Sequence, residues 1–129
     1  MRLLLDTHVL LWALLEPQKL SMELCNSLED SGNTLVVSAA SAWEIATKWR
    51  LGKLQHARSV VENYAMALHR LAAIDLPISG AVARRAGLWD VAHRDPFDRL
   101  LAAQAMADDL VLASTDPAFA QFEGVVTLR

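Results

Sequence analysis

The sequence predicts an α/β protein with an open, mostly parallel central sheet and helices on both of its faces. Short, continuous apolar segments such as "RLLL" and "TLVVS" alternate with helical segments along the chain. Such strands are typical of a sheet that helices cover on both faces, because all of their side chains are then buried. The chain has 129 residues, 53% of them hydrophobic, and no Gly/Ser-rich linker, so we expect one domain at 1–129.

The first half of the chain is expected to form two strands and three helices. Apolar runs too short for a helix predict the strands, and apolar residues at helical spacing predict the helices. Residues that stop a helix follow or end each helical segment: Pro17, Gly32 and Gly52. The expected elements are a strand at 2–5, helices at 7–16 and 21–30, a strand at 34–38 and a helix at 39–54.

The second half is expected to add four helices and three strands. The longest helical segment, "ARSVVENYAMALHRL", leads directly into the short apolar strand "AAIDL". Pro96 and Pro117 stand where a helix can begin, since proline fits the first helical position. The expected elements are a helix at 57–71, a strand at 72–76, helices at 79–92 and 96–109, a strand at 110–114, a short helix at 116–122 and a strand at 124–128.

Cysteine usage and the first residues favour a cytoplasmic protein. Cys25 is the only cysteine, so no internal disulfide can form, and no Cys/His set has the spacing of a structural zinc site. The segment "MRLLLDTHVLLWALLEP" is apolar, but Asp6 and His8 interrupt it and no small-residue cleavage site follows. We therefore expect neither a signal peptide nor a membrane-spanning segment.

The net charge of −3 does not by itself indicate nucleic-acid binding, because proteins of that class usually carry a basic face. Five acids are candidates for one cluster, and without them ten acids stand against twelve lysines and arginines. The charge therefore allows a phosphate-bearing partner as well as an ordinary solvated surface. The basic residues collect at 48–58 and at Arg84, Arg85, Arg94 and Arg99.

Four acids are expected near one edge of the sheet, the edge at which parallel strands end and ligands usually bind. Asp6 follows the first strand, and Asp116 comes just past the fourth. Glu44 lies on the helix after the second strand, and Asp98 is at the start of the helix before the fourth. Each acid alone also has a structural explanation, since the aspartates could cap helices and Glu44 could pair with Lys48.

The stretch "HRDPFDR" adds a fifth acid, Asp95, which is placed to cap the helix that Pro96 begins. Helix capping does not explain why acids of four separate segments should converge. Carboxylates within about 4–6 Å of one another repel unless a cation compensates them. A set of oxygen ligands without cysteine or histidine indicates Mg²⁺ or Mn²⁺, which can activate a water and stabilise a phosphodiester oxyanion.

Four segments in order, "LLLDTHVLLW", "SAASAWEIATKWRLGKL", "HRDPFDRLLAAQA" and "LVLASTDPAF", resemble the PIN-domain ribonucleases, and specifically the VapC-type toxins of bacterial toxin–antitoxin pairs. The resemblance spans 2–122 and implies a PIN-like fold. It also implies cleavage of RNA with Mg²⁺ or Mn²⁺, a homodimer, and inhibition by a small cognate antitoxin.

The resemblance also assigns roles to individual residues. Asp6, Glu44 and Asp98 match the principal metal ligands of the family. Asp116 matches a fourth acid that contacts metal more distantly or through water, and Asp95 matches mainly a helix cap that could also contact metal. The family commonly has a threonine two residues before the fourth acid, and the residue found at that position is Ser114.

Other residues near these acids have both a functional and a structural explanation. His8 and His93 could contact phosphate or base, or could be surface and helix-end histidines. Arg99 could balance the carboxylates or contact RNA. Four tryptophans could stack on bases, or could pack in the core or a dimer interface: Trp12, Trp43, Trp49 and Trp89.

Two other classes of protein are alternatives. A haloacid-dehalogenase-like phosphatase also has an aspartate after its first strand, but it needs a second aspartate two residues later, where this chain has His8. A receiver-like binding module expects paired acids near the first strand and a lysine after a late strand. Here the late strand is followed by Ser114, Thr115 and Asp116.

Overall fold

Five parallel strands form the centre of the computed structural model, which describes residues 1–129. The strand order is β3-β2-β1-β4-β5, and every neighbouring pair is parallel. The prediction of an open α/β sheet is confirmed, with all strands parallel rather than most of them. The strands are β1 at Arg2–Leu5, β2 at Thr34–Ser38, β3 at Ile74–Leu76, β4 at Val111–Ala113 and β5 at Thr127–Leu128.

Seven α-helices and three short 3₁₀ helices connect the strands. Most of the longer helices begin at a serine or aspartate whose side chain accepts a hydrogen bond from a backbone N–H of the first turn, which is the usual N-cap. The α-helices are α1 at Thr7–Leu15, α2 at Met22–Glu29, α3 at Ala39–Arg50, α4 at Arg58–Glu62, α5 at Tyr64–Arg70, α6 at Gly80–Leu88 and α7 at Pro96–Ala107. The 3₁₀ helices are Pro17–Lys19, Gln55–Ala57 and Pro117–Gln121.

Apolar side chains are buried on both faces of the sheet. In β1, Leu3 and Leu5 belong to one core cluster, whereas Leu4 belongs to a second, and all three are fully buried. Successive side chains of a strand point to opposite faces, so the two clusters lie on opposite sides of the sheet. Residues of α1 to α5 fill the first cluster, and residues of α7 and the last 3₁₀ helix fill the second. The helices therefore cover both faces, as predicted.

Several elements differ from the sequence-based expectation. The helix expected at 39–54 ends at Arg50, and the strand expected at 72–76 begins at Ile74. The helix expected at 57–71 is interrupted at Asn63, whose backbone angles, φ −130° and ψ 51°, are not helical. The helix expected at 79–92 ends at Leu88. The last strand begins at Thr127 rather than at 124, because Gly124 has a φ of +90° and turns the chain before the strand. None of the helices combines the length and the apolar character needed to cross a bilayer.

Candidate metal centre

Asp6 lies directly beyond β1, at the carboxyl edge of the sheet, and only 5% of it is exposed. Its backbone N–H donates to the carbonyl of Ala113, at the end of the neighbouring β4. One carboxylate oxygen accepts from the backbone N–H of Val9 at 2.8 Å, and the other accepts from the hydroxyl of Ser114. Asp6 therefore caps α1 and also points an oxygen towards the end of β4.

Glu44 is buried in the middle of α3, with 4% of it exposed. Its carboxylate pairs with the ammonium group of Lys48, one turn later in the helix. One turn before Glu44, Ser41 accepts a hydrogen bond from the hydroxyl of Thr7 at 3.0 Å. This contact joins α3 to the start of α1, and it places Glu44 beside Asp6.

Asp98 lies in the first turn of α7 and is half-buried. Burial raises the pKa of Asp98 to about 6, against a hydrogen bond from His93 that lowers it. The Nε2 atom of His93 is 2.8 Å from Oδ2 of Asp98. Asp95 is the N-cap of α7, and its Oδ1 accepts from the backbone N–H groups of Phe97 at 2.9 Å and of Asp98 at 3.2 Å.

The charge of Glu44 acts on the carboxylates of both Asp6 and Asp98. Burial is the main cause that raises the pKa of Asp6, the hydrogen bonds from Ser114 and Val9 oppose it, and the charge of Glu44 raises it further. The charges of Asp95 and Glu44 likewise raise the pKa of Asp98. Glu44 thus lies near acids of two other elements, Asp6 and Asp98, and their joint binding of a metal stays a prediction.

The donor set fits a hard divalent cation. Gathering buried carboxylates is unfavourable unless positive charge compensates them, and Lys48 is the only lysine or arginine paired with any of the three. All of the candidate ligand atoms are carboxylate oxygens, which Mg²⁺ and Mn²⁺ prefer. No three acidic, histidine or cysteine side chains lie close enough together to hold an ion. Each of the three carboxylates forms a hydrogen bond with a protein side chain, namely Lys48, His93 or Ser114.

Asp116 lies at the rim of this cluster and is exposed. It caps the last 3₁₀ helix by accepting from the backbone N–H of Ala118 at 2.9 Å. Its own N–H donates to the hydroxyl of Ser114 at 3.0 Å, and the same hydroxyl donates to Asp6. Ser114, which is 1% exposed, therefore links the fourth acid to the first, whereas the carboxylate of Asp116 does not contact the other three acids.

The supporting residues predicted from the sequence have different surroundings. His8 is exposed, lies 6.0 Å from the ring of Trp12, and through its charge lowers the pKa of Asp6. Arg99 forms no ion pair with a carboxylate, the contact that charge balance, one of its two expected roles, would use. Its guanidinium group instead donates to four backbone carbonyls, those of residues 86, 89, 91 and 93. Arg99 thereby positions the loop that carries His93.

Sequence reasoning did not predict two features of the site, the cationic role of Lys48 and the contact between Trp43 and Phe97. Lys48 was expected only as a partner that could explain Glu44 structurally, and it is the one lysine or arginine that pairs with an acid of the cluster. Trp43 is 57% exposed, and its ring meets that of Phe97 edge to face at 4.8 Å. Since these two rings directly precede Glu44 and Asp98 in the chain, an aromatic pair lies beside the acids. Nothing in the two segments that contain Trp43 and Phe97 predicts that contact.

Comparison with known proteins identifies the class. The model of the PIN domain family matches residues 3–125, so the chain belongs to the PIN-domain family, whose members are in general divalent-metal-dependent nucleases. The resemblance seen in the sequence is confirmed, and the phosphatase and receiver-like alternatives are set aside. No curated protein matches the chain in sequence.

Several solved structures share the fold at low identity. VapBC2 from Rickettsia felis, solved bound to a DNA fragment from their promoter, has a chain that matches with a TM-score of 0.73 and 17% identity, over 99% of this chain and 98% of that one. FitAcB from Neisseria gonorrhoeae matches with a TM-score of 0.64 and 20% identity, over 98% and 96% of the two chains. FitAB bound to an IR36 DNA fragment matches with a TM-score of 0.58 and 20% identity, over 98% and 93%.

Proposed function

We propose that this protein is an endoribonuclease and the toxin of a VapBC-type toxin–antitoxin module, which hydrolyses RNA phosphodiester bonds with Mg²⁺ or Mn²⁺. The observation that carries the proposal is the position of Asp6, Glu44 and Asp98 at one edge of the sheet, where burial and the charge of Glu44 raise the pKa values of Asp6 and Asp98. Membership of the PIN-domain family supports the nuclease chemistry. The VapBC2 and FitAB complexes among the structures of similar fold support the toxin role.

Asp6, Glu44 and Asp98 would hold the metal directly, and Asp116 would reach it through water. Asp95 keeps its role as a helix cap, because its Oδ1 already accepts two backbone N–H groups, and only its second oxygen is available for a metal or water contact. The chemistry that a divalent ion supplies in such a site is polarisation of the phosphodiester and activation of the attacking water.

The other residues orient these ligands and neutralise charge. Ser114 fixes the carboxylate of Asp6, and His93 fixes that of Asp98. Lys48 holds Glu44, and since about a third of its side chain is exposed, its ammonium group can also face a phosphate of the substrate. His8, at the exposed start of α1, is placed to contact phosphate or base near Asp6.

Further partners follow from the same proposal. We expect a small cognate antitoxin that covers the site, in line with the VapBC2 and FitAB complexes of similar fold. We also expect a homodimer of this chain and a cytoplasmic location, as the family resemblance implies. We expect no membrane partner.

Cleavage of RNA by the purified protein tests the enzymatic part. The wild-type protein should cut single-stranded RNA with Mg²⁺ or Mn²⁺ and should stop with EDTA. Asp6→Asn should be inactive while giving the same circular dichroism spectrum. Asp109→Asn is the matched control, because Asp109 is exposed and lies just before the amino end of β4, at the opposite edge of the sheet. Equal cleavage by folded Asp6→Asn would contradict the metal mechanism and indicate a contaminating nuclease.

Expression in bacteria tests the toxin part. Induction should arrest growth, and co-expression of the adjacent small gene should relieve the arrest. Absence of arrest, together with RNA cleavage in vitro, would contradict the toxin role and leave the nuclease activity in place.

A further inference from the structure

An open cavity of about 480 Å³, the largest in the structure, lies at the carboxyl end of α6. Its volume is within the range of pockets that bind small ligands, and it can hold a group the size of a nucleotide. No residue of this cavity belongs to the carboxylate cluster. The lining residues are Arg84, Arg85, Leu88, Trp89 and Asp90.

The cavity carries two arginines that have no acidic partner. Arg84 and Arg85 are exposed, and neither forms an ion pair, although other surface cations such as Arg58 do. Asp90 is the only acid in the lining, so the cavity keeps an excess of positive charge. Guanidinium groups donate bidentate hydrogen bonds to phosphate, and unpaired ones are free to do so.

The same cavity offers surfaces on which a base can stack. The guanidinium carbon of Arg85 lies 5.2 Å from the ring centroid of Trp89, in a cation–π arrangement. Leu88 adds an apolar side chain that is 66% exposed. Unpaired bases of single-stranded RNA stack on aromatic rings and on guanidinium planes.

The loop between α6 and α7 connects the cavity to the candidate metal centre. The rings of Trp89 and His93 both pack on Phe122, at centroid distances of 5.0 Å and 6.0 Å, so the two rings lie within about 11 Å of each other. The guanidinium group of Arg99 donates to the backbone carbonyls of both residues. His93 in turn contacts Asp98.

We propose that this cavity binds one nucleotide of the single-stranded RNA next to the scissile phosphodiester. Arg84 and Arg85 hold its phosphate, and Trp89 with Leu88 packs against its base. The inference rests on the proposed ribonuclease function and adds a substrate subsite to it. The carboxylates of an acidic protein segment would also pair with the two arginines. The combination of cations with a surface for base stacking favours a nucleotide.

Binding of a fluorescein-labelled single-stranded RNA, measured by anisotropy in EDTA so that no cleavage occurs, tests the subsite. For Arg84→Gln/Arg85→Gln we expect Kd to rise about tenfold, and the slope of log Kd against log salt to fall by about 0.7, the value for one lost phosphate contact on a single strand. Arg84→Lys/Arg85→Lys should keep most of the slope because the charges remain. Arg58→Gln/Arg70→Gln removes the same charge elsewhere and should change neither quantity.

The outcomes separate the subsite from the proposed function. An unchanged Kd and slope in Arg84→Gln/Arg85→Gln would overturn the subsite, while cleavage by the wild-type protein would still support the nuclease. The subsite would also be overturned if this variant bound RNA normally but no longer bound the purified antitoxin or no longer formed a dimer, because the cavity would then be a protein interface. A wild-type protein that binds no RNA would overturn both proposals.

Discussion

At the scale of single residues, Ser114 controls the orientation of Asp6. Its buried hydroxyl donates to the carboxylate of Asp6 and accepts from the backbone N–H of Asp116. We expect Ser114→Ala to weaken Mn²⁺ binding roughly tenfold, as loss of a group that orients a metal ligand commonly does. We also expect the free energy of unfolding to fall by about 1–2 kcal/mol, because the buried carboxylate of Asp6 and the backbone N–H of Asp116 each lose a hydrogen bond. Calorimetric Mn²⁺ titration and urea unfolding measure the two effects.

Ser114→Thr is the matched control, because it keeps the hydroxyl. It should bind Mn²⁺ within a few-fold of the wild-type protein. Equal Mn²⁺ affinity in Ser114→Ala and the wild-type protein would show that the hydroxyl does not orient Asp6.

Ionisation of Tyr64, which lies away from the site, should lower the free energy of unfolding at alkaline pH. Its hydroxyl is buried without a hydrogen-bond partner, and burial, together with the charge of Asp75, raises its pKa to about 12. The folded pKa lies above the unfolded value of about 10. The corresponding stability is therefore complete below pH 10 and is lost as the pH rises through 12.

Tyr64→Phe should remove that alkaline loss. At neutral pH it should unfold with about 1 kcal/mol more free energy, because an unpaired buried hydroxyl is removed without changing the ring. Urea unfolding at pH 7 and pH 11 measures both effects. If the free energy of unfolding fell as much between pH 7 and pH 11 in Tyr64→Phe as in the wild-type protein, Tyr64 would not titrate in this range.

The positions of the acids were predictable where they depend on local sequence. Asp6 and Glu44 follow strands that are short apolar runs, and Asp98 follows a proline that starts a helix, so the edge they share follows from strand direction alone. The role of Arg99 was not predictable. Its partners are backbone carbonyls of a loop, and their positions depend on how that loop folds rather than on any residue type.

At the scale of secondary structure elements, Arg99 holds the loop between α6 and α7. Its guanidinium group donates to the backbone carbonyls of residues 86, 89, 91 and 93. The loop itself contains no helix or strand that would supply backbone hydrogen bonds instead. Arg99→Met should lower the free energy of unfolding by about 3 kcal/mol, since several partly buried carbonyls lose a charged donor. Hydrogen exchange of the amides at 89–94 should become faster, which mass spectrometry of peptides from this loop would detect.

Arg99→Lys separates charge from geometry in the same loop. Lysine keeps the charge but lacks the planar fork, so it should recover only a small part of the lost stability. Full recovery by Arg99→Lys would show that the charge, rather than the hydrogen bonds to the carbonyls, stabilises the loop.

The elements that the sequence predicted well are those whose ends carry clear local signals. β1 and β2 match their predicted bounds because they are apolar runs with clear ends, and α7 begins at Pro96 after an aspartate cap. The end of α6 was placed four residues too late, because Arg99 draws the backbone after Leu88 into a loop that local helix propensity does not reveal. The break at Asn63 likewise depends on local backbone angles that helical periodicity does not specify.

At the scale of the whole molecule, the site joins parts of the chain that are far apart in sequence. Asp6 follows the central strand, Glu44 lies on a helix of one face, and Asp98 begins a helix of the other face. The unfavourable interaction of their charges therefore acts between the two faces of the sheet. A divalent ion that binds all three would stabilise the folded protein as a whole, and the unfolded chain would gain nothing comparable.

Mn²⁺ should therefore raise the free energy of unfolding, by about 2.7 kcal/mol at a hundredfold excess over its Kd. Glu44→Gln should lose most of this increase, because it removes one of three charged ligands, whereas Glu23→Gln, an exposed change on α2, should keep it. Thermal or urea unfolding with and without Mn²⁺ provides the measurement, with Ca²⁺ and EDTA as reference conditions. If Glu44→Gln gained as much stability from Mn²⁺ as Glu23→Gln, the ion would bind elsewhere, and the three carboxylates would need another explanation for their convergence.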